Sequence, residues 1–366
     1  MILTSLPAFR PRRAHSHIMD GGVAAVAGRP YSMAAIEPSG GRYMEGRQSS
    51  ARAPSFGGDA LDLSTVTGVV VNWETPDYTI RAARLLLDDG LRPEQLVIVD
   101  NGSKDSSHER LLSELPGCVV LRLDENAGYA RAANWGAQHR RGGSYLFVNN
   151  DAFVHRPGTV RALVQALELP SVGIVAPRVL NQDLTLQPTV SALQTPGVAL
   201  LRASGLSRLV PNRWQPSWST HWDHGSSREI QAAAGVAFLV RADAWQRLGG
   251  FEERIYFLGE DTDMCLRARQ AGWKVWFSSE AEFVHIGSGS TAARWSSPER
   301  AEMVGRSEGA MIRRNLSPGA ARLSLFFIAS GLLARSLVYR LAGRRAASNT
   351  MRAALRGFLA SDRPQP

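Results

Sequence analysis

The stretch Tyr145-Leu146-Phe147-Val148-Asn149-Asn150-Asp151 decides the reading of this chain. Four consecutive strand formers, set between Gly142-Gly143 and a polar cluster, describe a strand buried on both faces, as in a parallel sheet. The run stops at two amides and a carboxylate. Asn149, Asn150 and Asp151 therefore belong at the carboxyl edge of a sheet, the edge where open α/β sheets bind ligands. A carboxylate there suits a hard divalent cation, Mg2+ or Mn2+, shared with a phosphate. Asn-Asn-Asp is equally good turn chemistry, so the neighbours must decide.

Working outward, Thr67–Trp73 is a continuous apolar strand closing on Asn72, and Thr75-Pro76 opens a helix with Ile80, Ala83, Leu86 and Leu87 on one face. Leu96–Val99 is a second buried strand, ending in Asp100-Asn101-Gly102-Ser103. Ser106 and Glu109 form a capping-box pattern for the next helix. Val119–Leu123 is a third strand, and a turn at Asn126-Ala127-Gly128 leads into a helix over Tyr129–Arg140. Past the central strand come a helix at Thr159–Leu167 and a strand at Val172–Val175. Strand and helix alternating through short links specify a parallel, doubly wound sheet. Residues 181–230 read as irregular, with Trp214, Trp218, His221, Trp222 and His224 suggesting a lid or acceptor wall. Further elements are a strand at Gly235–Val240, helices at Asp243–Leu248 and Asp261–Gln270, short strands at Lys274–Phe277 and Glu282–Ile286, and a helix near Pro298–Arg314.

The chain has 366 residues and 44% hydrophobic content, enough for one large domain or two ordinary ones. Its net charge is +9, and residues 312–366 alone hold ten Arg and one Asp with no Lys or Glu, so the body is close to neutral. A neutral body with a basic tail argues against nucleic acid, which needs a basic groove on the fold itself. Cys118 and Cys265 are too few for a disulfide frame or a metal knuckle; both are expected to be small hydrophobes. Residues 1–60 lack a sustained period and are expected to be a disordered extension. No hydrophobic signal-peptide core follows the early arginines, which points away from secretion; Met33 and Met44 are alternative starts. No uninterrupted apolar run reaches the length of a membrane span.

From Val69 to about Ser290 the chain resembles family 2 glycosyltransferases of the GT-A fold. The resemblance rests on seven blocks in order: VVVNW, VDNGSKD, NAGYARAANWG, NND, GVAFLVRADAW, GGFEERIYFLGEDTDMCLRARQAGW and HIGSGST. It is nearest to the rhamnosyltransferase-like branch that builds bacterial surface polysaccharides. The fold implied is a Rossmann-like, mostly parallel central sheet with helices on both faces over residues 61–290. A helical, basic C-terminal extension follows over 291–366.

The resemblance implies a role for each block. Asn72, Asp100, Asn101, Asn149 and Asn150 would hold the nucleotide, with Asp100 accepting from a base N–H of uracil or thymine. Arg131, one turn into a helix whose N-terminus follows Gly128, would pair with the diphosphate. Asn134 fits a structural bond to buried backbone. Asn149-Asn150-Asp151 stands at the DXD position with an amide replacing the first carboxylate, so Asp151 would be the main protein ligand to Mg2+ or Mn2+. His285 would approach the same ion. In Glu260-Asp261 the aspartate would be the general base, ionised at neutral pH because it opens a helix. Asp263 and Arg267 fit a helix-surface salt bridge. Gly235 and Phe238 would floor the donor and acceptor pocket.

These roles describe an inverting transfer from a nucleotide-sugar donor, rhamnose on dTDP foremost, to a glycan or polyprenyl-linked acceptor. A UDP- or GDP-dependent hexosyl- or furanosyltransferase is the near rival, and a non-catalytic nucleotide-sugar binder the distant one. Beyond Pro318, LSLFFIASGLL followed by Arg335, Arg340, Arg344 and Arg345 suits an in-plane helix on an anionic membrane surface. That placement makes the protein cytoplasmic and peripheral to the inner face of the membrane. A core helix packed on the sheet is the alternative.

Overall fold

Apolar runs that end in polar residues become the strands of one nine-stranded mixed sheet. The structure is a computed structural model describing residues 62–205, 222–255, 258–287 and 296–360. The readings that fell on residues 1–60, Trp214, Trp218, His221 and 288–291 lie outside these. The first half of the chain supplies β1 (Val66–Asn72), α1 (Pro76–Asp88), β2 (Leu96–Asn101), α2 (Ser107–Glu114), β3 (Val119–Leu123), α3 (Tyr129–His139), β4 (Ser144–Asn149), β5 (Ala152–Val154), α4 (Thr159–Leu167) and β6 (Val172–Leu180). There follow β7 (Val190–Ser191), α5 (Pro196–Ser204), β8 (Arg228–Ile230), β9 (Ala232–Ala233), β10 (Ala237–Arg241), α6 (Ala242–Leu248), α7 (Glu260–Gln270) and β11 (Lys274–His285). Three helices close the chain: α8 (Ser297–Asn315), α9 (Pro318–Leu341) and α10 (Arg345–Leu359).

The sheet order is β3-β2-β1-β4-β10-β6-β11-β5, with β8 beside β11, while β7 and β9 pair separately. Neighbours from β3 to β4 are parallel; β10 runs antiparallel between β4 and β6, and β11 is parallel to β6. Strand ends β1, β2, β4 and β11 therefore open on one edge. Pairing of Asn72 with Asp100, and of Val71 with Asn149, sets three candidate site residues side by side there.

Alternation along each strand divides the core in two. Val69, Val97, Val99, Tyr145 and Phe147 point into a cluster under α3, α6 and α7. Val70, Ile98, Leu146 and Val148 point into a second one under α1 and α4. Phe147 is fully buried and meets Trp245 and Phe251 at ring-centroid distances of 4.7 and 4.9 Å. The third core is helical. Ala199 of α5 joins Ala301 and Ile312 of α8, Ile328 and Leu332 of α9, and Ala354 and Phe358 of α10.

Several local expectations are corrected. The Ser106–Glu109 capping box does not form: Ser106 makes no side-chain cap bond, and Asp105 Oδ1 accepts from the Ser107 N–H at 3.0 Å instead. An Asx side chain two residues back reaches that donor at less cost than Ser106 would. The strand at Val172 runs on to Leu180 because β11 keeps pairing with it as far as Leu180. The two short strands near the end are one, β11, with a register shift between Ser278 and Glu282. The 181–230 stretch, read as irregular, contains β7, α5 and β8. Asp263 and Arg267 form a buried pair rather than a surface one. Their contact is 2.6 Å, Asp263 is fully buried, Arg267 also donates to the carbonyls of Leu248 and Gly250, and Asn315 Nδ2 donates to Asp263 Oδ1 at 2.7 Å. The pair bolts α7 to the Gly249-Gly250 turn and to the end of α8.

Candidate active site

At the β1–β2 end of the sheet edge, polar side chains are spent on one another. Asn72 Nδ2 donates to Asp100 Oδ1 at 3.1 Å and to Ser103 Oγ at 3.2 Å, and Thr79 Oγ1 donates to Asn72 Oδ1 at 2.7 Å. Ser103 Oγ donates to the same Asp100 Oδ1. Asn72 is thereby corrected from a ligand contact to a buried brace; both ends of its amide are occupied. Asn101 is likewise a brace: its Nδ2 donates to Asn126 Oδ1 at 3.0 Å and its Oδ1 accepts from the Ala127 N–H at 2.9 Å. Gly102 between them has φ +69°, and a Cβ there would lie 2.3 Å from the Glu125 carbonyl carbon, so only glycine permits the turn.

One atom in this network is left over. Asp100 is wholly buried, and its Oδ2 accepts no hydrogen bond from any described residue. Arg122 Nε and His108 Nδ1 stand 3.9 and 4.0 Å from it, enough to oppose its charge but beyond hydrogen-bond distance. Such an orphaned acceptor calls for an external donor.

The β4–β11 end is organised differently. Asn150 Nδ2 donates to Thr75 Oγ1 at 2.7 Å, and the Asn149 N–H donates to the Val236 carbonyl at 2.9 Å, which fixes the strand end. Asp151 then turns toward β11, whose His285 brings Nε2 to 3.2 Å from Asp151 Oδ1. His285 Nδ1 lies 2.8 Å from Gln187 Oε1. An amide oxygen only accepts, so Nδ1 carries a proton; the neutral imidazole then turns the Nε2 lone pair toward the carboxylate, and the imidazolium donates to it from Nε2. Two acceptors facing each other at that distance require a cation or a shared proton between them. Among the described residues no group of three or more His, Cys, Asp or Glu could hold a metal. Asp151 and His285 supply two ligands, and the rest of a hard ion's shell would have to come from phosphate and water. The residues fit a Mg2+ or Mn2+ held in that way.

Across the edge, α7 starts with Glu260 and Asp261. Asp261 Oδ2 accepts from the Gly235 N–H at 2.7 Å, and Oδ1 accepts from the Thr262 N–H and hydroxyl. A Cβ on Gly235 would sit 3.1 Å from the Asp261 Cβ, so the glycine lets the strand entry approach the helix start. Burial nevertheless raises the Asp261 carboxyl above its ordinary range despite these donors. Burial, then the charge of Asp261, push Glu260 up to about 8. Helix-terminal stabilisation is outweighed here by desolvation, which corrects the expectation of a simply ionised Asp261. Near neutral pH Glu260 is therefore held protonated, and the three donors on Asp261 favour charge on that residue. Tyr129 belongs to the same group, its hydroxyl pushed up by burial and by the charges of Glu260 and Asp261.

One other expectation changes. Phe238 is 1% exposed and packs in the core opposite Phe147, its register partner, so it floors nothing; one step of strand alternation turns it away from the cleft. Arg131 is exposed and lines an open cleft with Arg122, Asp124, Trp135, Gln138 and Glu253. Asn134 bonds backbone as expected, donating to the Phe251 carbonyl at 2.9 Å and accepting from the Phe251 N–H at 2.8 Å. The supporting residues Thr79, Ser103, His108, Arg122, Tyr129 and Gln187 were assigned no role from sequence. Only Ser103 and Tyr129 lie in blocks that signalled a site.

The family described as Glycosyl transferase family 2 matches residues 69–242, and the related Glycosyl transferase family group 2 matches residues 179–353. The chain belongs to glycosyltransferase family 2. This glycosyltransferase is 29% identical, over 209 residues, to an N-acetylglucosaminyl-diphospho-decaprenol L-rhamnosyltransferase of Mycobacterium tuberculosis, covering 53% of this chain and 67% of that one. It is 27% identical over 202 residues to the O-antigen biosynthesis protein RfbC of Myxococcus xanthus, covering 54% of this chain and 15% of that one. A solved mannosyltransferase of Pyrobaculum calidifontis, in complex with GDP-Man and Mn2+, superposes with a TM-score of 0.50 at 15% identity, covering 81% of this chain and 86% of that one. At that identity the match establishes the fold, which is GT-A-like with a C-terminal helical region.

Proposed function

We propose that this glycosyltransferase moves a deoxyhexose, rhamnose foremost, from a pyrimidine nucleotide donor to a glycan or polyprenyl-linked acceptor in surface polysaccharide synthesis, with inversion at C1. The carrying observation is that one sheet edge brings together an orphaned buried carboxylate oxygen on Asp100, the facing acceptors of Asp151 and His285, and the Glu260–Asp261 pair. The donor sugar is suggested by the rhamnosyltransferase relative. Asp100 supports the base: with Oδ1 occupied by Asn72 and Ser103, a single oxygen is left. One acceptor matches the lone imide N–H of uracil or thymine. Guanine, with two adjacent donors, would want both oxygens.

In the reaction the acceptor hydroxyl oxygen attacks C1 while the bond from C1 to the diphosphate oxygen breaks. Asp261 takes the hydroxyl proton, and the nucleoside diphosphate leaves with the bonding pair. Asp151 and His285 would hold the divalent ion, which when bound neutralises charge on the leaving diphosphate. The near rivals are UDP- or GDP-sugar hexosyl or furanosyl transfer and non-catalytic binding. Activity is expected to vanish in chelator and return with Mg2+ or Mn2+; full turnover in chelator would remove the metal from this reading.

The C-terminal helices support attachment to a membrane. Among the described residues α9 is the one helix long and apolar enough to cross a bilayer by length and composition, although no uninterrupted run suggested it. Its Ala321, Ser324, Ile328, Gly331, Leu332 and Ser336 face the protein, packed on α5 and α10 rather than on the sheet. Leu323, Phe326, Leu333, Leu337 and Leu341 face outward, with Phe326 64% and Leu341 80% exposed. Arg322 and Arg340 are 18 positions apart, five helical turns, and so flank that outer face on one side. This arrangement suits a helix lying in the plane of an anionic surface on the cytoplasmic side. A polyprenyl-linked acceptor would be met there.

A further inference from the structure

We propose that Gln187, held by Asn181, is a positioning residue that fixes the tautomer of His285 so that its Nε2 and Asp151 converge on a divalent cation. This rests on the metal reading above and adds residues that the cation never touches. After β6, residues 181–187 form a tight turn: Asn181 N–H donates to the Thr185 carbonyl, and the Gln187 N–H returns to the Val179 carbonyl at 2.9 Å. The turn carries Gln187 back beside the end of β11, where its Oε1 meets His285 Nδ1 at 2.8 Å.

The direction of every bond in this chain is set by the main chain. Asn181 Nδ2 donates to the Leu186 carbonyl at 3.4 Å and to Thr185 Oγ1 at 2.9 Å. A carbonyl oxygen can only accept, so the amide nitrogen of Asn181 must lie on that side and its Oδ1 on the other. Asn181 Oδ1 accepts from Gln187 Nε2 at 3.1 Å, which turns Gln187 Oε1 toward the imidazole. Neutral His285 must then carry its proton on Nδ1, and its Nε2 lone pair points at Asp151 Oδ1, 3.2 Å away. Neither amide can rotate by half a turn without setting like groups against each other. The arrangement is the outer-sphere partner that metal-bound histidines need, built here from two amides in place of a carboxylate.

The test uses the full-length protein, Mn2+ and UDP or dTDP as probes, and three variants. Gln187→Leu removes the acceptor and should weaken Mn2+ binding in the presence of the nucleotide by roughly 10- to 100-fold, read by the electron paramagnetic resonance signal of free Mn2+. Gln187→Glu keeps an acceptor against Nδ1–H and should restore affinity to near wild type. His285→Ala sets the floor. In parallel, nitrogen NMR of metal-free protein at alkaline pH should show His285 with the proton on Nδ1, and a mixture of tautomers in Gln187→Leu. Thermal melts confirm that each variant is folded, and Gln187→Met, which also lacks the acceptor, serves if Gln187→Leu is not. An Nε2-protonated His285 in the wild type overturns the proposal, as does unchanged Mn2+ affinity in folded Gln187→Leu. A wild type that binds no Mn2+ with nucleotide, yet shows the Nδ1 proton and loses it in Gln187→Leu, sinks the metal reading and leaves the relay standing.

Discussion

The two ends of the ligand edge handle polar groups in opposite ways. At the β1–β2 end, Asn72, Thr79, Ser103 and Asp100 satisfy one another until one oxygen is left. At the β4–β11–α7 end, each pair takes up a proton or a cation: Asp151 faces His285 Nε2 at 3.2 Å, and Glu260 adjoins Asp261. A saturated network is a rigid frame that selects by shape and by its single gap. An unsaturated one responds to the cation or proton that completes it. The comparison predicts that substitutions at the first end change which nucleotide binds, whereas those at the second change turnover and pH response.

The largest effect should come from the second end. Asp261→Asn is expected to fold with some loss of stability, since its one amide oxygen can accept from Gly235 N–H or from Thr262 but not both, while turnover falls by roughly 10²–10⁴-fold, the usual worth of a general base. Steady-state rates measure this; turnover near wild type would move the base elsewhere.

The next effect sharpens the contrast by reversing the gap. In Asp100→Asn, Asn72 and Ser103 both donate toward the Oδ1 position and so hold the new amide oxygen there. The amide nitrogen then occupies the orphan position as a donor. Binding of UDP and dTDP should fall by roughly 10- to 100-fold, the loss of one hydrogen bond to a charged acceptor. CDP, whose ring nitrogen accepts at the matching place, should gain. Calorimetry across UDP, dTDP, CDP and GDP reads both, and equal losses for all four would mean that Asp100 does not meet the base.

A smaller effect is expected in stability. Burial and Asp261 raise Glu260 from 4.5 to about 8, so the native state binds this proton more tightly than the unfolded chain does. Its contribution is therefore fully retained below about 4.5 and lost progressively as pH rises to about 8. Glu260→Gln stays neutral throughout, and its melting temperature should gain on wild type across that window. A difference that stays constant with pH would show that Glu260 is not held protonated.

The smallest effect concerns α9. Phe326→Glu with Leu337→Glu alters only its outer face and leaves the core that α9 builds with α5, α8 and α10. Wild type should float with liposomes of anionic lipid and loosen in high salt; the double variant should stay behind. Equal flotation of the two proteins would remove the surface from the account.

How much was legible follows the same division. The strands β1 to β4 were readable because each is a continuous apolar run with an amide or carboxylate at its end, and parallel strands bury both faces. Local patterns fail where the deciding partner is distant. Phe238 sits in a block that marks a pocket, but its register against Phe147 points it into the core. Asp263 and Arg267 have surface spacing, yet Asn315 and the Gly249-Gly250 turn bury them. Gln187 lies in a stretch without period, and its partner is 98 positions away. Asp100, Asp151, His285 and Asp261 were singled out by motif. What each offers a ligand was set by neighbours that no motif names.

One bolt between helices sets where the chemistry happens. Asn315 closes α8 onto Asp263, two positions beyond Asp261 in α7. α8 meets α10 backbone to backbone: a Cβ on Gly357 would lie 1.9 Å from the Glu302 carbonyl oxygen, and one on Gly305 would lie 2.2 Å from that of Ala354. α9 is packed against this pair, and a Cβ on its Gly331 would come within 2.7 Å of Ala203 in α5. Among the described residues, the apolar face of α9 and the proposed base Asp261 are thus joined through helices in direct contact. On a lipid surface, the height and tilt of the cleft would be dimensions of the protein itself. A lipid-linked acceptor could then be measured by its reach: one too short to rise from the bilayer to Asp261 would go unglycosylated, however well its sugar fitted the site.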